Sequence, residues 1–145
     1  RAPLRMTVCL DTGVFLQIFG RRQPFHPIVR ALLDGQLALA VSTEILIEYE
    51  EVTVQLSGAE RWRDVAALLR VMAELHGNIH QIEPQYRLGV VADDPDDNKF
   101  CDCAIAAAAD FVITQDKHFA ALKAAGYRPQ PLVPEEFIRL HLGAE

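Results

Sequence analysis

Several acidic residues stand where the chain must turn out of a strand or into a helix. Asp11 follows the apolar run Thr7 to Leu10, and Asp116 comes two residues after the run Phe111 to Thr114. Glu48 lies six residues past Ser42, and Asp97 closes a polar stretch that begins at Asp93. Two bare carboxylates about 4 Å apart repel by about 4 kcal/mol at an effective dielectric near 20. Acids gathered that closely need a cation or must hold protons. Oxygen-only ligands suit Mg²⁺ or Mn²⁺, which keep several waters and take the rest of their shell from carboxylates and substrate phosphates. The chemistry such a centre supports is water attack on a phosphodiester, with no Ser, Cys or His nucleophile required.

The elements that must position these acids follow from periodicity and turn residues. Thr7 to Leu10 predicts a buried strand ending at Asp11, with Thr12 and Gly13 as a turn. A helix is expected from Pro24 to Leu33, stopped by Asp34 and Gly35, and a second buried strand over Leu37 to Val41. Ser42 is suited to cap a helix that runs to about Leu56 and carries Glu48 in its early turns. Ser57 and Gly58 break the pattern before a longer helix, Ala59 to His76, with Trp62, Val65, Leu68, Leu69 and Met72 on one side. A short strand over Ile79 to Ile82, a helix from Phe100 to Ala109, a strand from Phe111 to Thr114 and a last helix from Pro134 to Leu142 complete the expectation.

Strands alternating with helices imply the α/β class, a parallel sheet sandwiched by helices, in one domain over residues 6–142. Residues 1–5 carry no pattern and are expected to stand outside the fold. In open parallel sheets the ligand crevice lies beyond the carboxyl ends of the strands. Asp11, Asp116, Glu48 and Asp97 are all expected at that edge.

Each acid has an ordinary role to set against the chemical one. Asp11 would serve as a strand stop, Glu48 as a solvated helix charge like Glu44, Glu50 and Glu51, and Asp97 and Asp116 as helix caps. Together they make a pattern that none makes alone. Asp102 is five positions past Asp97, about 140 degrees around a helix, so it reaches the same site only if Asp97 precedes the first helical turn. Thr114 is equally a β-branched strand residue and a candidate ligand. The histidines are scattered, and Cys101 and Cys103 lack the partners a zinc site needs.

Bulk properties agree with a folded globular chain. Of 145 residues, 50% are hydrophobic and 23% charged, which excludes a disordered or low-complexity class. No apolar run approaches the roughly 18 to 20 residues that span a bilayer, and no signal-like segment opens the chain, so a cytoplasmic protein without membrane association is expected. The cysteines, Cys9, Cys101 and Cys103, are three in number and read as reduced thiols. The formal net charge of -6 does not exclude a nucleic-acid partner, because acids that surround metal ions are locally neutralised.

Four motifs carry a family resemblance: VCLDTGV at 8–14, STEILIEY at 42–49, DPDDNKFCDCA at 94–104 and VITQDKHF at 112–119. In their order and spacing they resemble the PIN-domain ribonucleases, and among these the toxin components (VapC-like) of bacterial toxin-antitoxin pairs. The resemblance implies a helix-sandwiched parallel sheet, Mg²⁺ or Mn²⁺ held by an acidic quartet, and endonucleolytic cleavage of RNA. Asp11, Glu48, Asp97 and Asp116 match the quartet, and Asp102 and Thr114 match accessory positions. Gly13 stands where the family usually has Asn. A small antitoxin partner and a homodimer are further implications. Arg21, Arg22, Lys99 and Lys117 are near the acids in sequence and are candidates for RNA phosphate contacts, with surface solubility as their ordinary role.

Other classes are weaker. A phosphoacceptor receiver module needs an Asp directly after a central strand, where Ser42 follows Val41, and an aspartyl phosphatase wants an acid two residues after Asp11, where Gly13 stands. The serious rival is a PIN-like protein, weakened in catalysis, that binds RNA or a partner.

Overall fold

A computed structural model describes residues 5–89, 95–124, 126 and 128–143. Its elements in chain order are β1 (Met6–Leu10), α1 (Thr12–Phe15), α2 (His26–Leu33), β2 (Leu37–Val41), α3 (Thr43–Ser57), α4 (Ala59–His76), β3 (Ile79–Gln81), α5 (Asn98–Ala106), β4 (Phe111–Ile113), α6 (Ala120–Ala124), β5 (Gln130–Leu132) and α7 (Pro134–His141). Single 3₁₀ turns at Pro95–Asp97 and Lys117–Phe119 precede α5 and α6. The five strands form one sheet in the order β3-β2-β1-β4-β5, and every pairing is parallel. This is the helix-flanked parallel sheet the sequence predicts.

Parallel sheets covered on both faces need strands that are apolar throughout. β2 meets this in all five positions, LALAV, each buried, and Val8, Cys9 and Leu10 of central β1 are fully buried too. Around them pack Ile18, Ile28 and Leu32 from the α1–α2 region, Ile45 and Tyr49 from α3, Phe100, Cys103 and Ala104 from α5, and Phe137 from α7. The N-terminal edge of the sheet is stitched by Asp110, whose carboxylate accepts from Thr7 N at 2.9 Å and from Arg128 at 2.9 Å.

Capping sets the helix limits. Ser42 Oγ accepts from Ile45 N at 3.2 Å at the start of α3, a bond that typically contributes about 1 kcal/mol. Gly77, in the left-handed region with φ 59°, ends α4. Gly35, φ 75°, permits a second close approach, since a Cβ there would stand 2.6 Å from His76 Nδ1.

Four details differ from the sequence expectation. α2 begins at His26 with Pro27 in its first turn, so Pro24 lies outside it. Residues 12–15 form a helical turn because Asp11 caps them, accepting from Val14 N at 2.9 Å. α5 starts two residues before Phe100 and ends at Ala106, after which Ala108 takes φ 52° to turn the chain into β4. β5 was not expected: its middle residue is Pro131, which an edge strand tolerates because no ladder bond is asked of its nitrogen. Of the polar run, Asp93 and Asp94 lie outside the described residues, as do residues 1–4 of the N-terminal extension. Arg5 is described, and its guanidinium donates to His76 O at 2.8 Å.

Candidate active site

The carboxyl ends of β1 and β4 are adjacent, and Asp11 N donates to Ile113 O at 3.1 Å. That pairing sets Asp11 beside Thr114. The Thr114 hydroxyl, 3% exposed, donates to Asp11 Oδ2 and accepts from Asp116 N at 3.0 Å. One side-chain oxygen thus ties together two acids that lie far apart in the sequence. Asp11 Oδ1 is committed to capping α1.

Glu48 enters from α3, which leaves β2 under the Ser42 cap. Its Oε2 accepts from the Thr12 hydroxyl, and its Oε1 pairs with Lys99 Nζ at 2.8 Å. Next along α3, Tyr49 is fully buried, stacks on Phe15 at 3.7 Å between ring centroids, and donates its hydroxyl to Leu10 O. The helix that carries Glu48 is therefore pinned to the strand residue before Asp11.

Electrostatics reflect this crowding. Burial pushes the Asp11 carboxyl above the usual aspartate range, the bonds from Thr114 and Val14 pull it back, and the charges of Asp116 and Glu48 add to the rise. Desolvation likewise drives up the Tyr49 hydroxyl. Cys101 is pushed up to about 12, by burial first and then by Asp102 and Asp97. All three thiols are buried.

Asp97 sits in the 3₁₀ turn before α5, so the geometric condition under which Asp102 could share its side is met. Asp102 is 7% exposed, and its Oδ1 accepts from Leu88 N at 3.1 Å. It lines a cavity of about 350 Å³ with Ser42, Thr43, Glu83, Arg87 and Lys99. Lys99 belongs to both neighbourhoods: besides Glu48 it bonds Asp96 O at 2.6 Å. Lys117 is exposed beside Asp116, and Arg21 and Arg22 are exposed between α1 and α2.

Sequence reasoning did not find Thr12, Tyr49 or Gln17, which hold the site by side-chain bonds over long separations. Gln17 Nε2 reaches both Gly13 O at 2.9 Å and Gln115 Oε1 at 3.1 Å, joining the loops after β1 and β4. Thr12 and Tyr49 lie inside the motifs at 8–14 and 42–49, but nothing in the sequence assigned them these bonds.

Residues 7–118 match the PIN domain. The chain belongs to the PIN-domain family. PIN domains are generally nucleases, and they generally use divalent metals. Among solved structures, FitAcB from Neisseria gonorrhoeae is similar with a TM-score of 0.53 at 20% identity, over 88% of this chain and 98% of that one. At that identity the likeness speaks for the fold. No curated protein matches the sequence.

Among the described residues, no three acids, histidines or cysteines stand together in a ready-made metal cage. The oxygens of Asp11 and Glu48 are turned to Val14, Thr114, Thr12 and Lys99. The donor set, carboxylates and threonine hydroxyls, is nonetheless the kind hard cations take, and a cation would offset the repulsion that raises Asp11. Among the described residues, no helix is long and apolar enough to cross a membrane.

Proposed function

We propose that this PIN domain is an Mg²⁺- or Mn²⁺-dependent endoribonuclease that hydrolyses RNA phosphodiester bonds, and that it is the toxin of a toxin-antitoxin pair. The observation that carries the reading is the Thr114 hydroxyl, which donates to the Asp11 carboxylate and accepts from the backbone N–H of Asp116, with Glu48 held alongside through Thr12. The charges of Asp116 and Glu48 bear on the buried Asp11 carboxyl, and titratable groups perturbed by burial and neighbouring charge cluster at functional sites.

Asp11, Asp116 and Asp97 would hold the cation, with Glu48 and Asp102 beside them. When bound, the cation lowers the pKa of a water and offsets charge on the phosphoryl oxygens. The chain's own residues position and polarise. Thr114 fixes the Asp11 carboxylate and the Asp116 backbone in register. Thr12 and Lys99 orient Glu48. Lys99, Lys117, Arg21 and Arg22 supply cationic contacts for RNA phosphates. An antitoxin partner, a homodimer and a cytoplasmic location accompany the toxin reading, and residues 6–142 form its single domain, preceded by residues 1–5.

A second reading, a PIN-like binder weakened in cleavage, is favoured by Gly13. A Cβ there would stand 3.7 Å from Asp11 Oδ1, so the Asn usual in the family would reach the site while glycine does not. The test is cleavage of single-stranded RNA by antitoxin-free protein with Mn²⁺, using EDTA and Asp97→Asn as controls. Cleavage abolished by both supports the nuclease. RNA left intact with metal present sinks it and leaves the binder. Growth arrest on expression, relieved by a co-expressed small partner, tests the toxin role separately.

A further inference from the structure

Resting on the metal-nuclease reading, we propose that the cavity between the ends of β2 and β3 and helix α5 is a base pocket, which takes an unpaired guanine beside the scissile phosphate and reads it through Glu83, Asp102, Ser42 and Arg87.

The cavity, about 350 Å³, opens beyond the carboxyl ends of two paired strands: Ser42 and Thr43 follow β2, and Glu83 and Pro84 come just after β3. From the other side α5 contributes Lys99 and Asp102. Its volume is near the low end of the roughly 300–1,000 Å³ of small-ligand sites. Lys99, bonded to Glu48, joins it to the acidic cluster, and β2 lies beside β1 in the sheet. A base seated here belongs to a nucleotide flanking a phosphate held at Asp11.

The charges lining the cavity repel phosphate and suit N–H groups. Glu44, Glu83 and Asp102 stand against Arg87 and a Lys99 whose charge Glu48 already offsets. The hydroxyl and the backbone N of Thr43 both donate to Glu83 Oε1 at 2.8 Å, and these bonds hold the carboxyl below the usual glutamate range. Oε2 keeps acceptor capacity, as does Asp102 Oδ2, because Leu88 N bonds Oδ1. Ser42 is 2% exposed and accepts from Ile45 N, and among the described residues its O–H finds no acceptor. Arg87 is exposed and bonds to none of the described residues. Ile47, 51% exposed, and Pro84 add apolar surface on which a flat ring can lie.

Unpaired RNA bases are read on their Watson–Crick and Hoogsteen edges. Guanine alone presents an imino N–H and an amino group side by side, next to the O6 acceptor. Adenine and cytosine offer a single amino group, and uracil a single imino N–H. Carboxylates for the N–H groups, with a guanidinium and a hydroxyl for O6, are the complement of guanine.

The test is cleavage by the full chain, with Mn²⁺, of a single-stranded RNA pool of random sequence, read for the base at each position around the cut. Guanine should be enriched at one fixed position by about tenfold or more, equivalent to about 1.4 kcal/mol. Inosine, which lacks only the 2-amino group, should lose most of that preference. Glu83→Gln and Arg87→Met should each bring the enrichment below about threefold. Arg87 makes no bond that folding needs, so its variant keeps the test decisive if the Glu83 variant misfolds. Uniform cutting, preference for another base, or enrichment unchanged in both variants overturns the proposal. Guanine without advantage, while an arginine-rich peptide binds and Glu83→Gln releases it, overturns it too and assigns the cavity to a guanidinium. RNA left uncut is a different result, which overturns the nuclease reading. The pocket is then judged by binding, where equal affinity for guanine and inosine versions of one short RNA overturns it as well.

Discussion

Replacing Thr114 by valine keeps the shape of a residue that is 3% exposed and removes the one hydroxyl shared by two acids. Two hydrogen bonds go with it. The bond to the Asp11 carboxylate contributes about 1.5–3 kcal/mol as a charged-group bond, and the one from Asp116 N about 0.5–1.5 kcal/mol. The sum, about 2–4.5 kcal/mol, is a large part of the roughly 5–15 kcal/mol that stabilises a domain. At about 3 °C per kcal/mol for a chain near this length, Thr114→Val should lower the melting midpoint by roughly 6–13 °C. Urea titration at two pH values adds a sharper criterion. The lost bond favours the ionised Asp11, so the penalty should be larger at about pH 8 than in acid below the ordinary aspartate pKa, where the carboxyl holds its proton. Thr114→Ser, which loses only a methyl group, should forfeit about 1 kcal/mol and keep its cleavage rate. Equal losses at both pH values, or a serine variant as impaired as the valine one, would refute the assigned role of the hydroxyl.

Asp11→Asn should melt higher than wild type at neutral pH while losing cleavage. Because the folded carboxyl titrates above its unfolded value, the native state binds more protons between the two values, and stability falls as pH rises through that window. The advantage of the asparagine variant should therefore vanish below the ordinary aspartate pKa, and calorimetry across pH checks this. Tyr49→Phe should destabilise by about 1–3 kcal/mol by leaving Leu10 O without its buried donor; a change under about 0.5 kcal/mol in denaturant titration would contradict that. Gly13→Ala should stabilise by about 0.4–1 kcal/mol, since its φ is ordinary and its nearest neighbour, Asp11 Oδ1, is 3.7 Å away; a lower melting midpoint would show that the turn needs glycine.

The parts of the fold that were legible in the sequence are those where one local signal decides the outcome. LALAV is a short apolar run without interruption, set between Asp34-Gly35 and Ser42, which reads as a covered strand, and Ser42, Gly58 and Gly77 bracket α3 and α4. β5 escaped because three residues around Pro131 show no alternation, and its strand character comes from pairing with β4. α1 escaped because a threonine-glycine pair is as much a turn as a helix start until Asp11 is seen to cap it. In the candidate site, the placement of Asp11 and Asp116 beyond strand ends was legible because apolar runs stop before them, and Thr114, which bonds both, was a motif position. The bond from Thr12 to Glu48 joins residues 36 positions apart, and nothing in local sequence encodes it. Lys99 was expected to contact substrate directly, but its pairing with Glu48 emerges only from the way α3 and α5 approach.

The strand order has a consequence for how the chain comes into being. β1 is the first strand made and lies in the middle of the sheet, flanked on one side by β2 and on the other by β4. The bond between Thr114 and Asp11 spans 103 residues, so half of the site waits for the last third of the chain. Pairings of such range form late and slowly in folding. During synthesis, the N-terminal two-thirds can collapse around β1, β2 and α3, yet it carries Asp11 and Glu48 without Asp116. Any chain released early, or cut between α4 and β4, would therefore lack the bond from Thr114 to Asp11, and the candidate site is complete only once the final strands dock.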